Sequence, residues 1–157
     1  MTTTKPDFVY VTYISTTPEK VYDALLDGEM TKLFWGRSRN VSDWKPGSRW
    51  SQQSYDDPSE VDVEGEVVEA DRPRRLVLTW KSNHPAFKDA KPSRVTFDIE
   101  AAFGAVRLTV THDEIEAGSP MLKVLSGGWS AILSSLKTLL ETGQPLPMTT
   151  RRWKGQG

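Results

Sequence analysis

Near its C-terminus the chain reads GGWSAILSSLKTLLETG, residues 127–143. Trp129, Ile132, Leu133, Leu136, Leu139 and Leu140 recur at the i, i+3, i+4, i+7 spacing that gives a helix one apolar stripe. Gly143 stands where such a helix would stop, because glycine accepts the left-handed conformation of a C-terminal cap. Upstream, Ser119 is the candidate N-cap and Pro120 the first-turn residue, so a helix is expected from there to about Thr142. Its stripe needs a dry surface to lie against. The pair Gly127–Gly128 is unexpected inside it, since each glycine costs about 1 kcal/mol relative to alanine. The two are expected to allow a bend or a close approach where Trp129 enters the core.

The dry surface lies upstream. Between about residues 39 and 113 the apolar period is two, and the candidate strands are RNVSDW, SRWSQQSY, VDVEGEVVEA, RLVLTWKS, SRVTFDIEA and AVRLTVTHDEI. Turn-forming stretches such as KPGS, DDPSE, DRPR, HPAFKDAKP and AFGA separate them. Short links between successive strands make an antiparallel meander. One face carries Val61, Val63 and Val67 with Gly65, then Leu76, Leu78 and Trp80, then Val95, Phe97 and Ile99, then Val106, Leu108 and Val110. The other face carries solvent-type residues, among them Glu64, Glu66, Lys81, Asp98, Glu100 and Arg107. Ahead of the meander, FVYVTYI (Phe8 to Ile14) reads as a further strand. STTPEKVYDALLD then reads as a short helix with Val21, Tyr22 and Leu25 inward. Thr16 or Thr17 is its cap, Pro18 lies in its first turn, Thr16 and Glu19 stand at capping-box spacing, and Gly28 is its end. A second short helix, EMTKLFWG, presents Leu33, Phe34 and Trp35 before Gly36.

The totals narrow the function. A chain of 157 residues holds one comfortable core. Lys+Arg number 20 against Asp+Glu 21, so no overall field draws the protein to nucleic acid or to an anionic membrane. The absence of cysteine excludes disulfides, thiolate nucleophiles and Cys-ligated metals, and suits a reducing cytoplasm. Neither a signal-peptide layout nor a membrane-length apolar run is present, so a cytoplasmic protein is expected. Residues 1–143 read as a single domain and 144–157, QPLPMTTRRWKGQG, as a Pro-rich and then basic tail. The tail reads as a loosely held terminus, with Trp153 as the residue that could dock it.

TPEKVYDAL, WKPGSRW, GEVVEADRPRRLVLTW, RVTFDIE, VRLTVTHDEI and GGWSAILSSLKTLLETG, in this order, resemble bacterial members of the activator of Hsp90 ATPase homologue family. That family lies within the START-like (Bet v 1-like, SRPBCC) superfamily, and the resemblance runs from about Tyr13 to Gly143. It implies an α+β helix-grip fold: a curved antiparallel seven-stranded sheet wrapped around the long C-terminal helix, with two short helices after the first strand. One strand before the short helices and six after them give the same number. The superfamily includes lipid and hormone binders, cyclases and cochaperone domains, so no single activity is implied.

The residues favour binding over catalysis. His84, in the turn NHPAF, reads as a solvated loop residue. His112 follows Val106, Leu108 and Val110 on the dry face, where it either satisfies a core-edge hydrogen bond or orients a ligand. SGGWS is not a nucleophile elbow, and no phosphate loop is present. His112, Asp113 and Glu114 alternate faces and cannot converge on a metal. No cofactor and no metal site are therefore expected. Six tryptophans point to a cavity between sheet and helix. Its candidate lining is Phe34, Trp35, Trp50, Gln52, Val67, Leu78, Trp80, Phe97, Val110, His112, Leu125, Trp129 and Leu133. The reading that follows is non-catalytic binding of a small apolar molecule, aromatic or lipid-like. A chaperone- or stress-associated protein-interaction domain, with the RPRR turn (Arg72 to Arg75) beside the acidic EVDVEGEVVE strand as an electrostatic docking site, is the alternative. A cyclase or hydrolase using His112 is the third. Neither nucleic acid nor membrane insertion is expected.

Overall fold

In a computed structural model of the chain, residues 8–116 and 120–152 are described. The expected Ser119 cap, the start of the chain before Phe8 and Trp153 lie outside them. The elements are β1 (Phe8–Ile14), α1 (Pro18–Leu26), α2 (Gly28–Phe34), β2 (Ser38–Ser42), β3 (Arg49–Ser54), β4 (Val61–Asp71), β5 (Arg75–Ser82), β6 (Ser93–Ala102), β7 (Ala105–Asp113) and α3 (Met121–Thr142). Two 3-10 turns, Pro85–Phe87 and Pro147–Thr149, complete the set. The strands form one curved antiparallel sheet in the order β1-β7-β6-β5-β4-β3-β2. Each strand from β3 to β7 pairs with its predecessor, and β1 pairs with β7, so β1 and β2 are the two edges of the sheet. Among the described residues no helix is long and apolar enough to cross a membrane.

Alternation along β6 and β7 sets the inner face. Val95, Phe97, Ile99, Val106, Leu108 and Val110 are all buried, and α3 answers them with Ile132, Leu133, Leu136 and Leu139. Each fully buried leucine contributes about 1.5–3 kcal/mol relative to exposure, so this seam dominates the fold. The β6–β7 link is a two-residue turn, Phe103 and Gly104, with both φ positive at 53° and 77°. That is the twist a tight hairpin requires.

The short helices differ in detail from expectation. Thr17 caps α1, its Oγ1 accepting from the Lys20 amide at 3.4 Å. Asp27 then serves both helices, as the C-terminal cap of α1 and as the N-cap of α2, where its carboxylate accepts from the Glu29 amide at 2.9 Å. Gly28 consequently opens the second helix instead of ending the first. Gly143 caps α3 as expected, with φ 84° and its amide donating to Leu139 at 2.8 Å.

Of the bend or close approach expected at Gly127 and Gly128, the close approach is not made, because a Cβ on either would meet nothing within 4 Å. Gly65 is the glycine that closeness requires. It pairs with Trp50, whose indole Nε1 donates to the Thr79 carbonyl at 2.8 Å. A Cβ at Gly65 would fall 2.1 Å from that carbonyl oxygen. The β4–β5 ladder is irregular at this point, its register shifting between Val67 and Glu69 while Glu66 donates its amide to Thr79 Oγ1.

The segment after α3 is held, and the reading of a loose terminus gives way through Arg152. Thr149 is fully buried. Its Oγ1 lies 2.7 Å from Ser135 Oγ on α3 and donates to the Leu33 carbonyl at 2.9 Å, and its own carbonyl accepts from the Gly36 amide at 2.8 Å. Arg152 pairs in two-pronged fashion with Asp62 at 2.8 and 2.9 Å. The stretch is a strap tying α3 to α2 and to the start of β4.

Candidate functional site

A cavity of about 610 Å³ lies between the sheet and the N-terminal half of α3. Trp35, Ser38, Gln52, Val63, Trp80 and Trp129 are buried residues on its wall, and Phe87, Val124, Leu125, Gly128 and Ile132 continue its apolar lining. Glu60, Asn83, His84 and Pro85 form an exposed rim. Such a concave, mainly apolar space with a few polar groups is the usual form of a small-molecule site.

Of the residues expected to line it, Trp35, Gln52, Trp80, Leu125 and Trp129 do so. Phe34, Trp50, Val67, Leu78, Phe97, Val110, His112 and Leu133 are buried but do not reach its wall. The separation has a packing cause. Where α3 carries Leu133 and Leu136 its side chains meet those of the sheet, whereas one turn earlier it presents Gly128 and leaves space. Sequence reasoning missed Ser38, Glu60, Asp62, Met121, Gly128 and Arg152, and gave His84 only a loop role. The glycine pair, read there as a bend or a close approach, was the one available signal.

The tryptophans form a continuous cluster. Trp35 stacks on Trp80 with ring centroids 6.4 Å apart and planes 17° from parallel. Trp129 meets both at 5.5 Å, and Trp50 lies 5.6 Å from Trp80. Offset and edge-to-face contacts of this kind add about 0.5–1.5 kcal/mol each beyond the area they bury.

His112 anchors the cluster from behind. Trp129 Nε1 donates to its Nδ1 at 3.1 Å, and its Nε2 lies 2.7 Å from Ser93 Oγ. An indole nitrogen can only donate, so Nδ1 is the unprotonated nitrogen and Nε2 carries the hydrogen. Ser93 Oγ accepts that hydrogen and donates its own to the Trp80 carbonyl at 3.3 Å. Burial pushes the His112 pKa down to about 3, which keeps the ring neutral. Both ring nitrogens are thus engaged, and the ring sits behind the wall.

Polar groups gather at the other end. Arg152 bridges to Asp62 and stands 3.6 Å from Glu60, with Nη1 also reaching Ser38 Oγ at 3.3 Å. Its hydrogen bonds to Asp62 raise its pKa above the usual guanidinium range. At the rim, His84 Nδ1 accepts from the Ala86 amide at 3.0 Å. Among the described residues no group of three His, Cys, Asp or Glu side chains could hold a metal.

No curated protein sequence matches the chain. Solved structures do. Protein MLL2253 from Mesorhizobium loti superposes with a TM-score of 0.71 at 23% identity, over 85% of this chain and 95% of its own. The Aha1 dimer from Colwellia psychrerythraea gives 0.66 at 19% identity, over 86% and 96%. ChR145 from Cytophaga hutchinsonii gives 0.65 at 23% identity, over 89% and 98%. At these identities the likeness is one of fold. A family sequence model described as Activator of Hsp90 ATPase homolog 1-like protein matches residues 15–141, a span that runs from the end of β1 almost to the end of α3. The chain therefore belongs to the Activator of Hsp90 ATPase homolog 1-like family, within the START-like superfamily.

Proposed function

We propose that this protein binds a small, largely apolar molecule, aromatic or lipid-like, between the sheet and α3, and that it does so without catalysing a reaction. The observation that carries this reading is the cavity of about 610 Å³ walled by Trp35, Trp80 and Trp129. Flat indole faces favour planar or apolar partners, and burial of such surface stabilises a complex by roughly 25 cal/mol per Å² before the costs of association. The family fits a ligand-binding or chaperone-associated domain in general. The engagement of His112 at both nitrogens and its position behind the wall support a role without turnover. The cytoplasm is the setting in which a chain without cysteine fits this role.

The test is a ligand screen by two-dimensional NMR that follows the indole signals. Saturable shifts concentrated on Trp35, Trp80 and Trp129 support the cavity as the site. Unchanged indoles across a broad set of aromatic and lipid-like compounds refute it. The family description favours a second reading, a chaperone-associated protein partner. Recovery of one stoichiometric chaperone from native extract, with the indoles silent in the screen, would put that reading first.

A further inference from the structure

Four indole N–H groups meet in the tryptophan cluster, and they fall into two pairs. Trp50 donates to the Thr79 carbonyl and Trp129 to His112 Nδ1. Trp35 and Trp80 donate to nothing among the described residues, and neither N–H is among the side-chain groups that are both sealed and unpaired. Each therefore has access to open space. Both rings line the cavity, and both residues are otherwise buried, 4% and 6% exposed, so that space is the cavity. A buried indole N–H ordinarily finds an acceptor. Here two stacked rings 6.4 Å apart leave theirs without one.

Charge on the wall restricts what that acceptor is. Arg152 is the one Lys or Arg among the lining residues, and its guanidinium is taken up by Asp62 with Glu60 close by. One cation against two carboxylates leaves this end of the cavity net negative, which opposes an anionic ligand.

Resting on the ligand-binding reading above, we propose that Trp35 and Trp80 form an acceptor-recognising subsite, and that the ligand is an uncharged planar molecule carrying a carbonyl oxygen. Its oxygen takes the free N–H at an indole edge while its rings lie among the apolar side chains of the lining. A hydrocarbon of the same shape leaves both donors buried and unmet once it displaces water, which is the basis of discrimination.

The probes are 9-fluorenone and fluorene, alike in shape and differing in the carbonyl, with fluorene-9-carboxylate as the charged comparison. Binding is measured by titration to the wild type and to Trp35→Phe, Trp80→Phe and the double variant, each of which keeps an aromatic ring and loses the N–H. The expected result is fluorenone binding about five- to tenfold tighter than fluorene in the wild type, as one net hydrogen bond allows. The preference shrinks in each single variant and vanishes in the double one. Because a phenylalanine swap in this cluster can impair folding, the wild-type indole N–H signals provide a second readout. Those of Trp35 and Trp80 move downfield with fluorenone and stay with fluorene, while those of Trp50 and Trp129 keep their hydrogen-bonded positions. Equal binding of the two neutral probes, or a preference that survives the double variant, overturns the subsite alone. Tighter binding of the carboxylate overturns the uncharged ligand. Failure of every probe to bind overturns the subsite, whereas the ligand-binding reading falls only with the broad screen described above.

Discussion

Trp129 on α3 donates its indole N–H to His112 on β7 across 3.1 Å, so a single hydrogen bond fixes a cavity wall to the sheet behind it. The bond needs a neutral imidazole, and the fold enforces one by burying the ring completely. An imidazolium could not accept at Nδ1, and its charge would have no partner there.

That neutrality makes stability pH-dependent. In the unfolded chain a histidine titrates near 6.5, whereas folded His112 titrates at about 3. Between these values the unfolded state binds the extra proton, so stability is full above about pH 6.5 and falls by about 1.4 kcal/mol per pH unit below it. Arg72 holds Asp23, and Arg37 holds Asp56, below the usual carboxylate range. Those pairs add their own loss only below about pH 4, so urea denaturation between about pH 6.5 and 5 isolates His112. The slope is expected in the wild type and absent in His112→Gln. A wild-type stability that stays flat across that window would sink the assignment.

Gly128 sets helix propensity against cavity volume. With nothing within 4 Å of a Cβ at either glycine, Gly127→Ala and Gly128→Ala each gain the helix-propensity difference and are expected to stabilise the protein by about 0.5–1 kcal/mol. Gly128 lines the cavity and Gly127 does not. Gly128→Leu is therefore expected to weaken binding of a cavity ligand at least about tenfold while Gly127→Leu leaves it unchanged, as followed by tryptophan fluorescence titration. Equal effects of the two leucines on binding would mean that this part of α3 does not bound the site.

Gly65 is expected to tolerate no side chain. An added Cβ would lie 2.1 Å from the Thr79 carbonyl oxygen and 2.7 Å from its carbon, so backbone has to move, and with it the acceptor of the Trp50 indole. Overpacking of this kind costs roughly 1–3 kcal/mol, and the lost hydrogen bond adds about 1 kcal/mol. Gly65→Ala should lower the urea midpoint accordingly, with Trp50 emission changing even in the folded state. A change below about 0.5 kcal/mol would show that β4 and β5 are not held at this separation.

How far the residues foretell the molecule differs between fold and site. Val106, Leu108 and Val110 at period two, facing Leu133, Leu136 and Leu139 at helical period, are enough to specify a helix across a sheet, because periodicity reports which face is dry. Whether two dry faces meet is a different quantity. It depends on side-chain volumes at facing positions, and no local pattern separates Leu133, which closes the gap, from Leu125, which borders it. His112 was legible as a buried polar residue, yet the choice between ligand contact and hydrogen bond turned on where Trp129 and Ser93 came to rest. Arg152 was hidden for another reason, since its partner Asp62 lies 90 positions away and neither residue belongs to a periodic run that pairs them.

Thr149 carries the same long-range logic into the strap, and its energy can be isolated. The residue has no exposed surface, and its hydroxyl joins Ser135 on α3 to the Leu33 carbonyl at the end of α2. Thr149→Val keeps the shape but leaves both groups short of a partner in a site that water does not reach. Such a loss costs about 1–3 kcal/mol. The Arg152–Asp62 pair and the Gly36–Thr149 backbone bond should persist, so the strap loosens at one of its attachments. A double-mutant cycle with Ser135→Ala is expected to give a coupling of about 0.5–1.5 kcal/mol, since each single change already breaks the shared bond. Limited proteolysis completes the test: cleavage after α3 should accelerate in Thr149→Val and further in Thr149→Val combined with Asp62→Asn. Additive stabilities in the cycle, with unchanged proteolysis, would mean that the Thr149 hydroxyl does not hold the strap.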